Sequence, residues 1–311
     1  MFEDGQVYSP VTEHRDGTVQ VHLADNHPGR DDPDYLARRG QIAAAALTWD
    51  RAVGEPVPTI GYTEDEHEVW RTVSAALAEA HARHAHPEYL AAKAALGLPA
   101  DRVPQLAEVS ERLAPLTGWT YIAAPGSVPL REFYGDLRQR TFSSTQYLRH
   151  ASQPLYTPEP DIIHEVIGHG NGLASERFAR ITEAAGQALT RMESEEAAKL
   201  VADVFWFSME FGVIYEAGPS GARELKAYGA GILSSFGEME EFREMEIRDL
   251  DLADMGTLNY DITQYQPILF AAQDLGHLED VVGDFFATAD DDACARLRRE
   301  AEDRGLVPER V

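Results

Sequence analysis

Residues 164–169 read HEVIGH, the close of a longer stretch, TQYLRHASQPLYTPEPDIIHEVIGH, that fills residues 145–169. The hexamer is similar to the HExxH helix of zinc peptidases, but its histidines stand five apart, not four. On a regular α-helix, four residues bring a side chain back to within ~40° of its starting direction, and five leave it ~140° away. Five-spacing therefore chelates only where the regular helix gives out. Gly168, Gly170, Asn171 and Gly172 surround His169 and predict a helix end there. Two unrelated histidines near a helix terminus would look the same at this point.

A second stretch offers a further donor. Residues 204–212 read VFWFSMEFG, apolar apart from Ser208 and Glu210. A segment this apolar belongs inside the protein, where a lone carboxylate is costly unless an arginine or a metal takes it up. Two histidines and one carboxylate are the facial set of non-haem iron(II) oxygenases, which leaves coordination positions open.

The surroundings bound the answer. The chain has 311 residues, 44% of them hydrophobic, enough for one large core. Its net charge of −26 repels phosphate backbones and anionic membrane surfaces, so no nucleic acid and no membrane is expected as a partner. A single cysteine, Cys294, excludes an internal disulfide and a thiolate metal cluster. The opening MFEDGQVYSP has neither the basic start nor the apolar run of a signal peptide, and no stretch is apolar enough to span a bilayer, which makes a cytoplasmic setting the expectation.

Residues 1–60 are rich in Pro, Gly and Asp and read as turns and irregular chain around one helix at 35–47. Thr63 and Glu66 have capping-box spacing before Val69, Val73 and Leu77. Pro104 opens a helix carrying Leu106, Val109 and Leu113, and residues 115–118 are expected to end it. WTYIA at 119–123 reads as a strand, and further helices are expected at 130–137, 178–189, 197–215 and 278–288. No repeat or long linker divides the chain. The expectation is one mainly α domain with a little β-structure, an N-terminal extension at 1–24, a catalytic domain at 25–290 and a charged tail at 291–311 that frays.

Several longer stretches match one family. Residues 145–169, 205–212 (FWFSMEFG), 226–238 (KAYGAGILSSFGE) and 259–267 (NYDITQYQP) resemble the signatures of the aromatic amino acid hydroxylases, in the family's order. So do residues 25–39 (DNHPGRDDPDYLARR) and 60–70 (IGYTEDEHEVW), and the pattern is closer to the animal enzymes' catalytic domain than to the short bacterial phenylalanine hydroxylases. The resemblance implies a basket of helices that hydroxylates the ring of a free aromatic amino acid with Fe(II), tetrahydrobiopterin or a related tetrahydropterin, and O2. Animal members add a regulatory domain and a tetramerisation helix for which this sequence has no room, so a monomer or dimer is expected.

The resemblance also implies roles for single residues. His164, His169 and Glu210 would bind iron. Arg149 would grip the substrate carboxylate with its fork of donors, although a structural ion pair is its alternative. Thr157 and Ser234, with Ser235 beside it, would lie near the substrate's amine and carboxylate, although each hydroxyl suits a turn or cap equally. Pro160, Trp206, Phe211 and Gly231 would wall the substrate ring. Phe133 would stack on the pterin, with Val128, Leu130, Ser143, Glu165 and Phe205 around it. Glu165 and Tyr260 would take part in catalysis. Three positions depart from the animal pattern: Ser143 replaces a pterin-contacting histidine, Phe205 a tyrosine, and Gly170-Asn171 a Val-Pro pair. Trp206 is too bulky for an indole substrate, and Ile262 replaces the acidic residue of tyrosine hydroxylases, so phenylalanine is the expected substrate, with para- or meta-tyrosine as product. The rival reading is a zinc metallohydrolase using Glu165 as general base.

Overall fold

The computed structural model describes residues 11–14, 18–218, 221–260 and 264–306. Ile262 lies outside them, so its bearing on substrate choice stays a sequence argument. The chain opens with an antiparallel hairpin, β1 (Val11–Glu13) and β2 (Val19–Val21), where irregular chain was expected. It lies against α1 (Pro33–Thr48), which Asp32 caps and Pro33 starts.

The capping box forms as its spacing predicts. Thr63 and Glu66 bond each other's backbone and open α2 (Glu64–His84), which buries Val69, Val73 and Leu77. A helix the sequence did not announce, α3 (Pro87–Leu96), follows. Then comes α4 (Leu106–Thr117), which runs through Pro115 and closes on left-handed Gly118 at φ 77°. The strand expected at 119–123 is β3 (Thr120–Ala123); it connects through α5 (Leu130–Leu137) to its parallel partner β4 (Thr141–Ser144).

The centre of the fold is a pair of buried helices, each widened by a π-turn. The first runs from the π-turn His164–Gly170 into α6 (Asn171–Leu173) and is followed by α7 (Glu176–Arg191). The second is α8 (Glu195–Phe205), which passes into the π-turn Trp206–Glu210. The helix expected at 197–215 therefore stops short. Val213 and Ile214 are β-branched and belong to β5 (Val213–Ala217), which pairs antiparallel with β6 (Arg223–Ala227).

Next come α9 (Ala230–Ser234), α10 (Phe236–Glu241), β7 (Glu246–Asp249), α11 (Leu252–Met255) and β8 (Ile268–Ala272). The strands complete a mixed sheet in the order β6-β5-β8-β7, with β8 parallel to both neighbours. The last expected helix begins at Leu275 and runs as α12 (Leu275–Leu278), a π-turn and α13 (Asp284–Thr288). The expectation of a fraying tail is corrected for α14 (Asp291–Asp303). Cys294, Leu297 and Ala301 recur on one face, and Cys294 and Ala301 are buried where the helix meets α8 and α11. Among the described residues, no helix is long and apolar enough to cross a membrane.

Candidate active site

His164 and His169 project from the same π-turn, and this is how a five-residue spacing becomes a chelating pair. In a π-turn each hydrogen bond closes on the fifth residue, as Asn171 N–H does on Val166 O. Side chains five apart then come round to one face. The helix end expected at His169 is thus corrected to a widened helix that carries on. Gly168 serves close packing there: a Cβ would stand 2.6 Å from Ala230 O, so only glycine lets α9 cross the turn. Glu210 closes the second π-turn, where Phe211 N–H bonds Trp206 O at 2.9 Å.

The three donors converge. His169 Nε2 lies 3.2 Å from His164 Nε2 and 3.1 Å from Glu210 Oε1, and His164 Nε2 is 3.7 Å from Glu210 Oε2. Nitrogen and oxygen donors held at ~2.1 Å by one ion, at right angles to each other, stand ~3.0 Å apart, so the set fits a metal. Glu165 also brings an oxygen within 4.8 Å of both imidazoles, but Glu210 is the nearer carboxylate. Burial lowers the His164 pKa to about 4, with His169 adding to the effect, so the imidazole is neutral as a ligand must be. Burial opposes the charge on Glu210, yet the neighbouring His169 and His164 together hold the carboxyl below its usual range. Burial pushes Glu165 well up, aided by Glu210 and Asp161.

Neighbours fix the ligands in place. Ser234 Oγ donates to Gly231 O at 3.1 Å and lies 2.8 Å from His164 Nδ1. With the hydroxyl proton spent on Gly231, Nδ1 must donate to Oγ, which leaves the Nε2 lone pair for the metal. Asp161, fully buried, accepts from Arg149 Nε and Nη2, both at 2.9 Å, from Arg149 N at 2.8 Å and from His164 N at 3.2 Å. The ion pair weighed for Arg149 is therefore present, and Arg149 also lines the cavity beside the donors.

That cavity holds about 220 Å³. Thr157, Pro160, Trp206, Phe211, Gly231, Ser234 and Ser235 line it with Val128, Phe133, Ser143, Glu165 and Glu210. Trp206 packs on Phe211 at 4.6 Å and donates Nε1–H to Gln266 at 3.2 Å. A Cβ on Gly231 would meet Phe211 Cζ at 2.6 Å, so glycine makes room for that ring. Thr157 spends its hydroxyl proton on Glu159 O at 3.0 Å, closing a tight turn. Phe133 packs edge-on against Phe142 and Tyr134, both at 5.5 Å, and so is braced from behind. Ser143 donates to Asp136 Oδ2 at 2.7 Å, and Asp136 Oδ1 accepts from Arg51 at 2.9 Å.

Four expected residues are not part of the wall: His169, which lies behind it within the donor cluster, and three others. Phe205 is wholly buried against Tyr134 and Phe286, because its side chain leaves the helix on the core side. Leu130, in the first turn of α5, packs into the core. Tyr260 stacks behind Trp206 at 4.8 Å with its hydroxyl 3.1 Å from Asp203, so it supports the wall rather than forming it. Conversely Tyr147, Tyr156, Glu238 and Tyr265 line the cavity unforeseen. Glu238 had left a signal, since it follows Ser235 at capping-box spacing.

A family model described as "Biopterin-dependent aromatic amino acid hydroxylase" matches residues 12–295. Phenylalanine 3-hydroxylase of Streptomyces coeruleorubidus is 48% identical over 271 residues, covering 87% of this chain and 95% of that protein. Human phenylalanine-4-hydroxylase is 37% identical over 274 residues, covering 86% of this chain and 59% of the human protein. Among solved structures, the apo phenylalanine hydroxylase of Colwellia psychrerythraea superposes with a TM-score of 0.71 at 30% identity, covering 80% of this chain and 93% of that one. The Chromobacterium violaceum phenylalanine hydroxylase with bound iron(III) and 7,8-dihydrobiopterin gives 0.69 at 30% identity, covering 80% and 86%.

Proposed function

As the chain belongs to the biopterin-dependent aromatic amino acid hydroxylases, we propose that it hydroxylates the ring of free L-phenylalanine, using iron(II), a tetrahydropterin and O2. The observation that carries this reading is the donor set itself: two imidazoles and a carboxylate 3.1–3.7 Å apart, at one side of a cavity walled by Trp206, Phe211 and Pro160. The relative at 48% identity is named for the 3-position, which favours meta-tyrosine as the product. On this reading the mainly helical fold is the family's basket, placed in the cytoplasm.

His164, His169 and Glu210 would hold iron, and Phe133 would stack on the pterin with Val128 and Ser143 beside it. Bound iron and pterin supply the activation of O2. The chain's own residues do the rest. Ser234 keeps the proton of His164 on Nδ1. Arg149, held rigid by Asp161, orients the substrate carboxylate. Trp206 and Phe211 hold the arene in place and exclude water from the reacting face. Glu165, whose carboxyl burial pushes well up, lines the pterin side of the cavity. Purified protein given phenylalanine, iron(II) and tetrahydrobiopterin should yield a product about 16 mass units heavier, by one added oxygen, that co-elutes with meta-tyrosine on chromatography. Absence of any hydroxylated amino acid refutes the function, and para-tyrosine alone refutes the ring position.

A further inference from the structure

We propose that Glu238 receives the α-ammonium group of the amino acid substrate, as the anionic counterpart of Arg149; this rests on the hydroxylase reading above. A free amino acid carries both charges at neutral pH, and an ammonium taken out of water needs a partner. The cavity wall presents four carboxylates. Glu159 is already paired with Arg39 at 3.2 Å and accepts from Ala24 N–H at 3.4 Å. Glu210 faces the two histidines. Glu165 directly follows His164 and sits within the donor cluster. Among the described residues, no arginine, lysine or histidine is paired with Glu238.

Local structure explains why this carboxyl faces the cavity. Ser235-Phe236-Gly237-Glu238 has capping-box spacing, in which the glutamate turns back to the serine's backbone N–H. Here only the serine half forms, with Ser235 Oγ accepting from Glu238 N–H at 3.5 Å. Ser235 N–H is taken by Ile232 O at 3.1 Å, so the Glu238 carboxyl is not held by the Ser235 backbone. It lies on the cavity wall and takes hydrogen bonds from the Ser235 hydroxyl and the Gln266 backbone. Those donors are neutral and leave its charge unmatched. Burial accordingly pushes the carboxyl up to about 7, and a bound ammonium would restore the anion.

The position suits the substrate. Ser235 adjoins Ser234, which holds His164, and His164 shares Asp161 with Arg149. Arg149 and Glu238 thus lie at the two ends of a run of contacts through Asp161, His164, Ser234 and Ser235, and both line the same cavity. Thr157 and Ser234, the hydroxyls expected near the amine, already accept from Glu159 N–H at 3.3 Å and from His164 Nδ1 at 2.8 Å, and neither carries a charge to match an ammonium.

The test is calorimetric titration of the iron(II)-loaded protein under argon, with L-phenylalanine, 3-phenylpropanoate and 2-phenylethylamine. Glu238→Gln should raise the Kd of phenylalanine about tenfold and leave that of 3-phenylpropanoate, which lacks the ammonium, within about twofold. Phenylethylamine should lose affinity as phenylalanine does, and Glu238→Asp should lie between. Unchanged phenylalanine affinity overturns the proposal. So does an equal loss for phenylalanine and 3-phenylpropanoate, which would mark Glu238 as packing alone. A wild-type protein that binds none of the three fails the hydroxylase reading itself, before Glu238 is in question.

Discussion

A histidine offers one nitrogen to a metal only if the other keeps its proton, and Ser234 imposes that choice on His164. Ser234→Ala should weaken iron binding by about 10–100-fold while the fold survives, as checked by metal analysis after dialysis against a graded chelator. Glu210→Ala removes a ligand and leaves two buried imidazoles without their anion. It should lose iron and hydroxylation together, and full activity would refute the ligand set. Arg149 does two jobs, so its variant should show two effects. Arg149→Lys cannot copy the fork on Asp161, and should raise the phenylalanine KM at least about tenfold, ~1.4 kcal/mol, while also lowering Tm. A lowered Tm with unchanged KM would reduce Arg149 to the ion pair. Phe133 is braced by Phe142 and Tyr134 and turned to the cavity. Phe133→Ala should raise the pterin KM strongly at normal iron content, and loss of iron with folding would show it to be plain core. The donors were legible in the sequence because an isolated carboxylate in VFWFSMEFG has few reasons to exist. The partners that orient them were not, since Asp161 and Ser234 meet His164 only through the fold.

At the scale of elements, the strongest signal was a misfit. Five-spacing said that a regular helix fails between His164 and His169, but glycines suggested an ending where the chain makes a π-turn instead. A period of 3.6 has no place for a wider turn, so pattern reading sees only the irregularity. Removing one residue from 166–168 tests the link between spacing and backbone. The shortened turn can relax to an α-helix with every donor atom still present. The histidines would then be four apart and still share one face, so iron should stay bound, as read by metal content. Loss of iron would show that the widened turn itself sets the donor geometry. Capping chemistry was read correctly at Thr63–Glu66 because it is local. The end of the helix before β5 was not, since residues 204–214 are almost wholly apolar and a buried run hides the change from helix to strand. The hairpin β1–β2 and the helix α3 are too short to set up a period.

Over the whole molecule, a net charge of −26 opposes self-association at low salt. Light scattering at physiological ionic strength should give a monomer or at most a dimer, and a stable tetramer would contradict this. The single cysteine gives the molecule one further property. Cys294 lies on the buried face of α14, close to the sulfur of Met192, and burial together with Asp291 and Asp290 raises its thiol pKa to about 11. While α14 stays docked, a thiol reagent finds nothing to attack, and each time the helix lifts away one thiol per chain is uncovered. The labelling rate, divided by that of a free thiol, is therefore a direct reading of how often the C-terminal helix detaches, recorded on native protein with no engineered probe.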